Sequence, residues 1–207
     1  GAAIGVSWDG TGYGTDGAIW GGEFLVGDFA GFQRLAHFKY VPLPGGEAAI
    51  RRPFRTALSH LVSAFGDEAW QLGLPFARAI DPTELAIIRR QIATGLNSPP
   101  TSSAGRLFDA VAALLGIRGV VNYEGQAAIE MESLAALEPG APPYPVAEMG
   151  LVPQVLPAAI DPAPLIRAMV SDLLAGAPPA VIAARFHASM AALIAAVCGI
   201  IGRQEQL

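Results

Sequence analysis

The chain changes its period at Gly45-Gly46, and that change limits it to a small sheet followed by a helical body. Before the pair, short apolar runs alternate with glycine-rich turns. Ile4 to Asp9 reads as a strand, and Gly10-Thr11-Gly12-Tyr13-Gly14-Thr15-Asp16-Gly17 behind it is turn chemistry throughout. Ala18 to Val26 resumes as a strand, in which the paired Gly21-Gly22 marks a bulge or a close backbone approach. Phe32 to Val41 is a third strand, closed by Pro42-Leu43-Pro44-Gly45-Gly46. Three strands joined by short turns predict an antiparallel meander.

Behind Gly46 the period is helical. Pro53 to Phe65 opens on a proline suited to a first turn and sets Phe54, Leu58, Leu61, Val62 and Phe65 on one face. Asp81-Pro82-Thr83-Glu84 supplies a cap, a first-turn proline and an acid at the positive helix end, and Gly95 ends that helix. Asn97 to Ser103 reads as loop. Ala104 to Leu115 is a helix closed by Gly116, and Gly125 to Leu137 is another. Glu138 to Pro157 holds six prolines and reads as irregular or hairpin-like. Helices over Pro162 to Ala175 and Pro178 to Cys198 complete the chain. The predicted fold class is α+β and mainly helical. Residues 1–46 form the meander, 47–138 a helical region, 139–161 a proline-rich excursion and 162–201 the C-terminal helices.

Composition narrows the function. With 207 residues, 52% hydrophobic and 15% charged, the chain can bury a core and does not have a disordered composition. Its net charge of −5 and lack of any basic run argue against nucleic acid as a partner. The single cysteine, Cys198, excludes an internal disulfide and a zinc ribbon. No charged region precedes an apolar run at the start, so a cytoplasmic location is expected. Ala180 to Ile201 is nearly long enough to cross a bilayer, but it carries Arg185 and His187 inside and much of it is alanine. A soluble helix, with no membrane partner, is the expectation.

Three strings carry chemistry. In Ser7-Trp8-Asp9-Gly10-Thr11-Gly12-Tyr13-Gly14, an acid at a strand end can hold a metal, and glycines let backbone N–H groups approach an anion. The same string also fits a hairpin that binds nothing. It is neither a dinucleotide fingerprint nor a P-loop, because no helix and no Gly-Lys-Ser/Thr follows. In Ser102-Ser103-Ala104-Gly105-Arg106-Leu107-Phe108-Asp109, Gly105 and Asp109 share one face of a helix start suited to phosphate or ribose. Ser103 as a plain cap and Asp109 as a solvated acid remain the alternative. The acids of Asn122 to Glu132 either anchor a loop or face solvent. His37, His60 and His187 show no metal-ligand spacing, and Cys198 in an apolar helix reads as a small core residue.

Taken together, these strings resemble the HypF family, carbamoyltransferases that mature nickel–iron hydrogenases. The likeness runs through Ile4 to Gly14, Ala18 to Leu25, Val41 to Gly46, Arg52-Pro53, Thr101 to Gly116, Tyr123 to Glu130 and Phe186-His187, in the family's order. It is weakest between Pro139 and Pro179. The resemblance implies part of the second lobe of a two-lobed actin/Hsp70-like domain, related to the tRNA-threonylcarbamoyl transferases. It implies transfer of a carbamoyl group from ATP-derived carbamoyl-adenylate to the C-terminal cysteine of a HypE-type acceptor protein, on the route to the hydrogenase cyanide ligands.

Carried over residue by residue, it implies Asp9 as a ligand of a divalent metal, iron or zinc, in the complete site. Gly10, Gly12 and Gly14 match a turn near the nucleotide phosphates, and Gly105 and Asp109 match the helix start that receives the ribose. The family's His-x-x-x-His pair, its Ser-Gly-Gly nucleotide loop and its final metal-binding acid are not in this sequence. The chain is therefore expected to be a partial site, inactive by itself, and to self-associate through an unpaired strand edge or through its apolar helix faces, most simply as a homodimer. A different carbamoyl or threonylcarbamoyl transferase of the same fold, or a non-catalytic interaction module, are the alternatives.

Overall fold

The computed structural model describes residues 1–149 and 157–207. Strands β1 (Ala3–Tyr13), β2 (Ile19–Asp28) and β3 (Gly31–Phe38) form the antiparallel meander, with Val6 opposite Phe24 and Glu23 opposite His37. The sheet is larger than the meander. Short strands β4 (Val41–Pro42), β5 (Pro100–Thr101) and β6 (Ala158–Ile160) extend it to the order β4-β5-β2-β3-β6, with β1 on the opposite edge of β2. β5 runs parallel to β2 at Ile19 and Thr101, and β6 runs parallel to β3 from Ala36 to Phe38. Thus Pro100-Thr101 is strand rather than loop, and the third strand stops at Phe38, where Lys39 donates its N–H to Ile160 at 2.8 Å.

The glycine string also departs from its expected form. β1 continues through Gly10 and Gly12 to Tyr13, because Gly12 and Tyr13 pair with Trp20 and Ile19. The register slips between Trp8 and Gly12, so Asp9 to Thr11 bulge opposite Gly21. Only Gly14 to Gly17 is left as a turn, closed by Gly14 N–H to Ala18 O at 3.0 Å. Among the described residues the outer edge of β1 pairs with no strand, and the bulge breaks its run of free backbone groups.

The helical body comprises α1 (Glu47–Arg51), α2 (Pro53–Phe65), α3 (Pro75–Arg78), α4 (Pro82–Thr94), α5 (Ala104–Leu114), α6 (Gln126–Ala135), α7 (Ala163–Leu174) and α8 (Pro179–Glu205). Local chemistry sets their ends. Asp81 accepts from the N–H groups of Thr83 and Glu84 at the start of α4, and Gly95 ends it in the left-handed conformation at φ 71°. α8 continues past Cys198 because Val197 and Ile201 remain in the core, completing a stripe with Ile182, Phe186, Met190 and Leu193. It is long and apolar enough to cross a membrane, and here that stripe packs inside the fold. Arg185 sits in α8 by pairing with Asp172 and lying 3.9 Å over the ring of Tyr144, a residue that donates its backbone N–H to Ser189 Oγ. These contacts fasten the start of the proline-rich excursion to α7 and α8. Its residues 150–156 lie outside the described residues. The core joins Phe24, Leu35 and Phe38 of the sheet to Leu107 and Val111 of α5 and to Phe186 and Leu193 of α8.

Candidate functional site

Where β1 bulges, the start of α5 meets it. A Cβ on Gly105 would lie 2.8 Å from Gly10 Cα and 3.1 Å from Asp9 O, so the absence of a side chain lets helix and strand touch. Ser103 binds the same bulge: its Oγ donates toward Asp9 O and Gly10 O, at 2.6 and 2.7 Å, and accepts from Arg106 N–H at 3.1 Å. One hydroxyl therefore caps α5 and fastens it to the sheet. Beside this junction opens a cleft of about 580 Å³, lined by Gly10, Thr11, Arg51, Arg106 and Asp109 and walled by Val121 to Gly125. That wall is positioned by Val121 N–H on Arg51 O at 3.0 Å, and by Gly125 entering α6 at φ 76°. Arg118 holds Glu130 with two bonds at 2.7 and 2.8 Å, and Glu130 in turn accepts from Gln126.

The floor of the cleft is charged and buried. Arg106 Nη2 pairs with Asp109 Oδ2 at 2.9 Å, and the two side chains are 5% and 6% exposed. Burial pushes the Asp109 carboxyl up to about 6, against the pull of the Arg106 guanidinium. Arg106 Nε and Nη1 are buried and, among the described residues, have no hydrogen-bond partner. Glu124 is exposed on the facing wall, and its Oε1 lies 3.6 Å from where a Gly10 Cβ would stand.

A second polar cluster supports the junction from behind. Glu23, 1% exposed, accepts from the N–H groups of Gly21 and Gly22, from Ser102 Oγ and from Arg34. Arg34 lies 4.0 Å over Trp20 and reaches Tyr40, which donates to Asp16. Partial burial pushes the Asp16 carboxyl up, but the bonds from Tyr40, Ala18 and Trp20 and the nearby Arg34 outweigh it, and its pKa falls to about 2. A carboxyl held below its ordinary 3.8 contributes stability above that value and loses it as pH falls through about 2. Asp16→Asn is therefore expected to lack this part of the acid-unfolding slope. Acid titrations of both proteins followed by circular dichroism check it, and superimposable curves below pH ~4 would count against the Asp16 contacts.

The structure brings Gly10, Gly105 and Asp109 together and leaves the other sequence candidates apart. Gly12 and Gly14 lie outside the cleft and fit against Trp20, where a Cβ would crowd its backbone or ring. Asp9 is exposed, and its Oδ1 accepts from Gly10 N–H at 2.6 Å. Among the described residues no group of three His, Cys, Asp or Glu side chains stands together to hold a metal ion. One carboxylate does not fit a complete metal centre. His37 packs on Tyr40 with Nδ1 at Phe38 O, and His187 Nδ1 meets Ala183 O. His60 is driven down to about 4 by burial. Asp109 is no solvated cap, and sequence reasoning passed over its partner Arg106. The three-residue spacing of that pair along a helix was the signal available.

The sheet-and-helix lobe with its polar cleft matches a transferase subdomain. The family model described as "Carbamoyltransferase, Kae1-like Domain, second subdomain" matches residues 5–207, and the chain belongs to that family. Its curated relatives are HypF carbamoyltransferases. It is 44% identical over 191 residues to that of Rhodobacter capsulatus, covering 91% of this chain and 23% of the relative. To that of a Synechocystis strain it is 37% identical over 205 residues, covering 93% and 26%. The chain thus spans about a quarter of the length of these relatives. Full-length HypF in its phosphate- and nucleotide-bound form matches at TM-score 0.89 and 38% identity, over 100% of this chain and 31% of that one. HypF of T. kodakarensis matches at TM-score 0.82 and 31% identity, over 98% and 26%.

Proposed function

We propose that this chain is the nucleotide-contacting part of a HypF-type transferase that passes a carbamoyl group from carbamoyl-adenylate to the C-terminal cysteine of a HypE-type acceptor. The acceptor thiolate attacks the carbamoyl carbon and an S–C bond forms. The bond from that carbon to the adenylate phosphate oxygen breaks, AMP leaves with the electron pair, and the thiol proton passes to solvent. A cytoplasmic setting suits a reaction that needs a reduced thiol.

One observation carries this reading: Gly10 and Gly105, far apart in sequence, meet without side chains and open a single cleft onto Arg106 and Asp109. Family membership supports the reaction class, and a nucleotide-bound relative of the same fold supports the ligand class. Gly10 and Asp109, which line the cleft, are the residues of this chain assigned to the nucleotide, and Gly105 lets helix and strand meet beside it.

The test uses the complete HypF-type protein that contains this chain. Incubation with carbamoyl-adenylate and a HypE-type acceptor, followed by mass spectrometry, is expected to show one carbamoyl group on the acceptor's C-terminal cysteine. An unmodified acceptor, or modification elsewhere, overturns the reading.

A further inference from the structure

We propose that Arg106 is the anion-binding group of the cleft, taking the phosphate of an adenylate between itself and Arg51, with Asp109 as its positioning residue. The proposal rests on the nucleotide reading above and deepens it.

Several backbone donors at this junction are already used. Gly10 N–H is bound by Asp9 Oδ1 at 2.6 Å, and Gly14 N–H by Ala18 O at 3.0 Å. Gly12 and Gly14 face Trp20 rather than the cleft. The start of α5 is closed by Ser103, whose hydroxyl takes Arg106 N–H and spends its own hydrogen on the bulge. The N–H groups of Gly10, Gly14 and Arg106 are therefore not available to a phosphate at this junction.

Arg106 is in the opposite condition. Its side chain is 5% exposed, Asp109 occupies Nη2 alone, and Nε and Nη1 have no partner among the described residues. Buried donors without acceptors cost stability, and the few that native folds keep call for an explanation, of which a bound ion or ligand is one. The guanidinium meets the cleft beside Gly10: a Cβ there would stand 3.4 Å from Nη2, so the missing side chain leaves room for a ligand oxygen. Arg51 lines the same cleft from its exposed rim, where its Nη2 pairs with Glu47 at 2.6 Å and leaves its other donors for a ligand. Two guanidinium forks suit a phosphate group, whose oxygens accept several bonds at once. Asp109 and Glu124 bring two carboxylates to the same cleft.

Titration calorimetry of the 207-residue chain with adenosine, AMP and inorganic pyrophosphate tests this. The wild type is expected to prefer AMP over adenosine by about tenfold or more. Gly10→Ala should erase that preference, because the added methyl fills the approach to Nη2 at ordinary contact distances and leaves the melting temperature unchanged. The neutral pair Arg106→Gln with Asp109→Asn should erase it as well, without stranding a buried charge.

Adenosine binding as tightly as AMP, or a preference that survives in either variant, overturns the assignment of Arg106 while the nucleotide reading stands. Pyrophosphate binding to the wild type but to neither variant, with no binding of AMP or adenosine, keeps Arg106 and overturns the nucleotide reading. Failure of all three probes overturns both.

Discussion

Arg106→Met is expected to destabilise the chain by about 3–5 kcal/mol at pH 7.5, and by far less at pH 5, because it leaves a carboxylate buried alone. Asp109 is 6% exposed, and its carboxyl already sits at about 6 with the guanidinium 2.9 Å away. Burial outweighs the pull of Arg106 even in the intact pair, so removing the cation drives the carboxyl higher still. An acid raised in the folded state takes up its proton more readily there than in the unfolded chain. Its contribution to stability is therefore full below the ordinary 3.8 and is lost as pH rises toward the folded value. The wild type should lose stability between those two values, and the variant should go on losing it at higher pH. Urea unfolding at several pH values reads both slopes. A penalty of the same size at pH 5 and 7.5 would mean that Arg106 stabilises by packing, and that Asp109 is not its charge partner.

The sign of that slope sets Asp109 apart from Asp16. Asp16 accepts bonds from Tyr40, Trp20 and Ala18 and is held near 2, so its contribution disappears only in strong acid. Asp109 accepts a single strong contact in a drier place and is pushed the other way. Two aspartates of one sequence, each near a turn or helix start, thus titrate in opposite directions for reasons visible only in three dimensions.

What was legible in the sequence was whatever local pattern decides. The meander, α2, the Asp81 cap of α4 and the end of α5 before Gly116 all follow from period, cap or glycine chemistry within a few residues. Strands β5 and β6 were not legible, because Pro100-Thr101 and Ala158 to Ile160 are too short to carry a period, and their partners in β2 and β3 lie far away in sequence. The site divides in the same way. Gly105 and Asp109 stood out by spacing, and Gly10 by its place after an acid. Gly12 and Gly14 looked equivalent to Gly10 in the string, but the bulge after Trp8 turns the strand so that they meet Trp20 instead. Arg106 carried no such mark, since an arginine in a first helical turn is ordinary until its burial is known.

The second large effect concerns the glycine facing that bulge. Gly105→Ala is expected to destabilise the chain by about 2–3 kcal/mol, although alanine is the better helix former. Replacing glycine in a helix gains at most about 1 kcal/mol, and less in a first turn than in the middle. Against that, the new Cβ would stand 2.8 Å from Gly10 Cα, 3.1 Å from Asp9 O and 3.1 Å from Gly10 N. All three are backbone atoms, so no side chain can rotate away. The start of α5 must instead draw back from β1, and the Ser103 bonds to Asp9 O and Gly10 O lengthen with it. The cleft is built on that junction, so nucleotide affinity should fall together with stability. Gly10→Ala is the matched contrast, because its Cβ meets only the ends of Arg106 and Glu124, at 3.4 and 3.6 Å. Two glycine-to-alanine changes on facing sides of one contact should therefore separate: one unfolds and the other only blocks. Thermal melts of the two variants beside AMP titrations read the difference. A Gly105→Ala protein as stable as the wild type would show that propensity wins over the clash, and that helix and strand can part there at little cost.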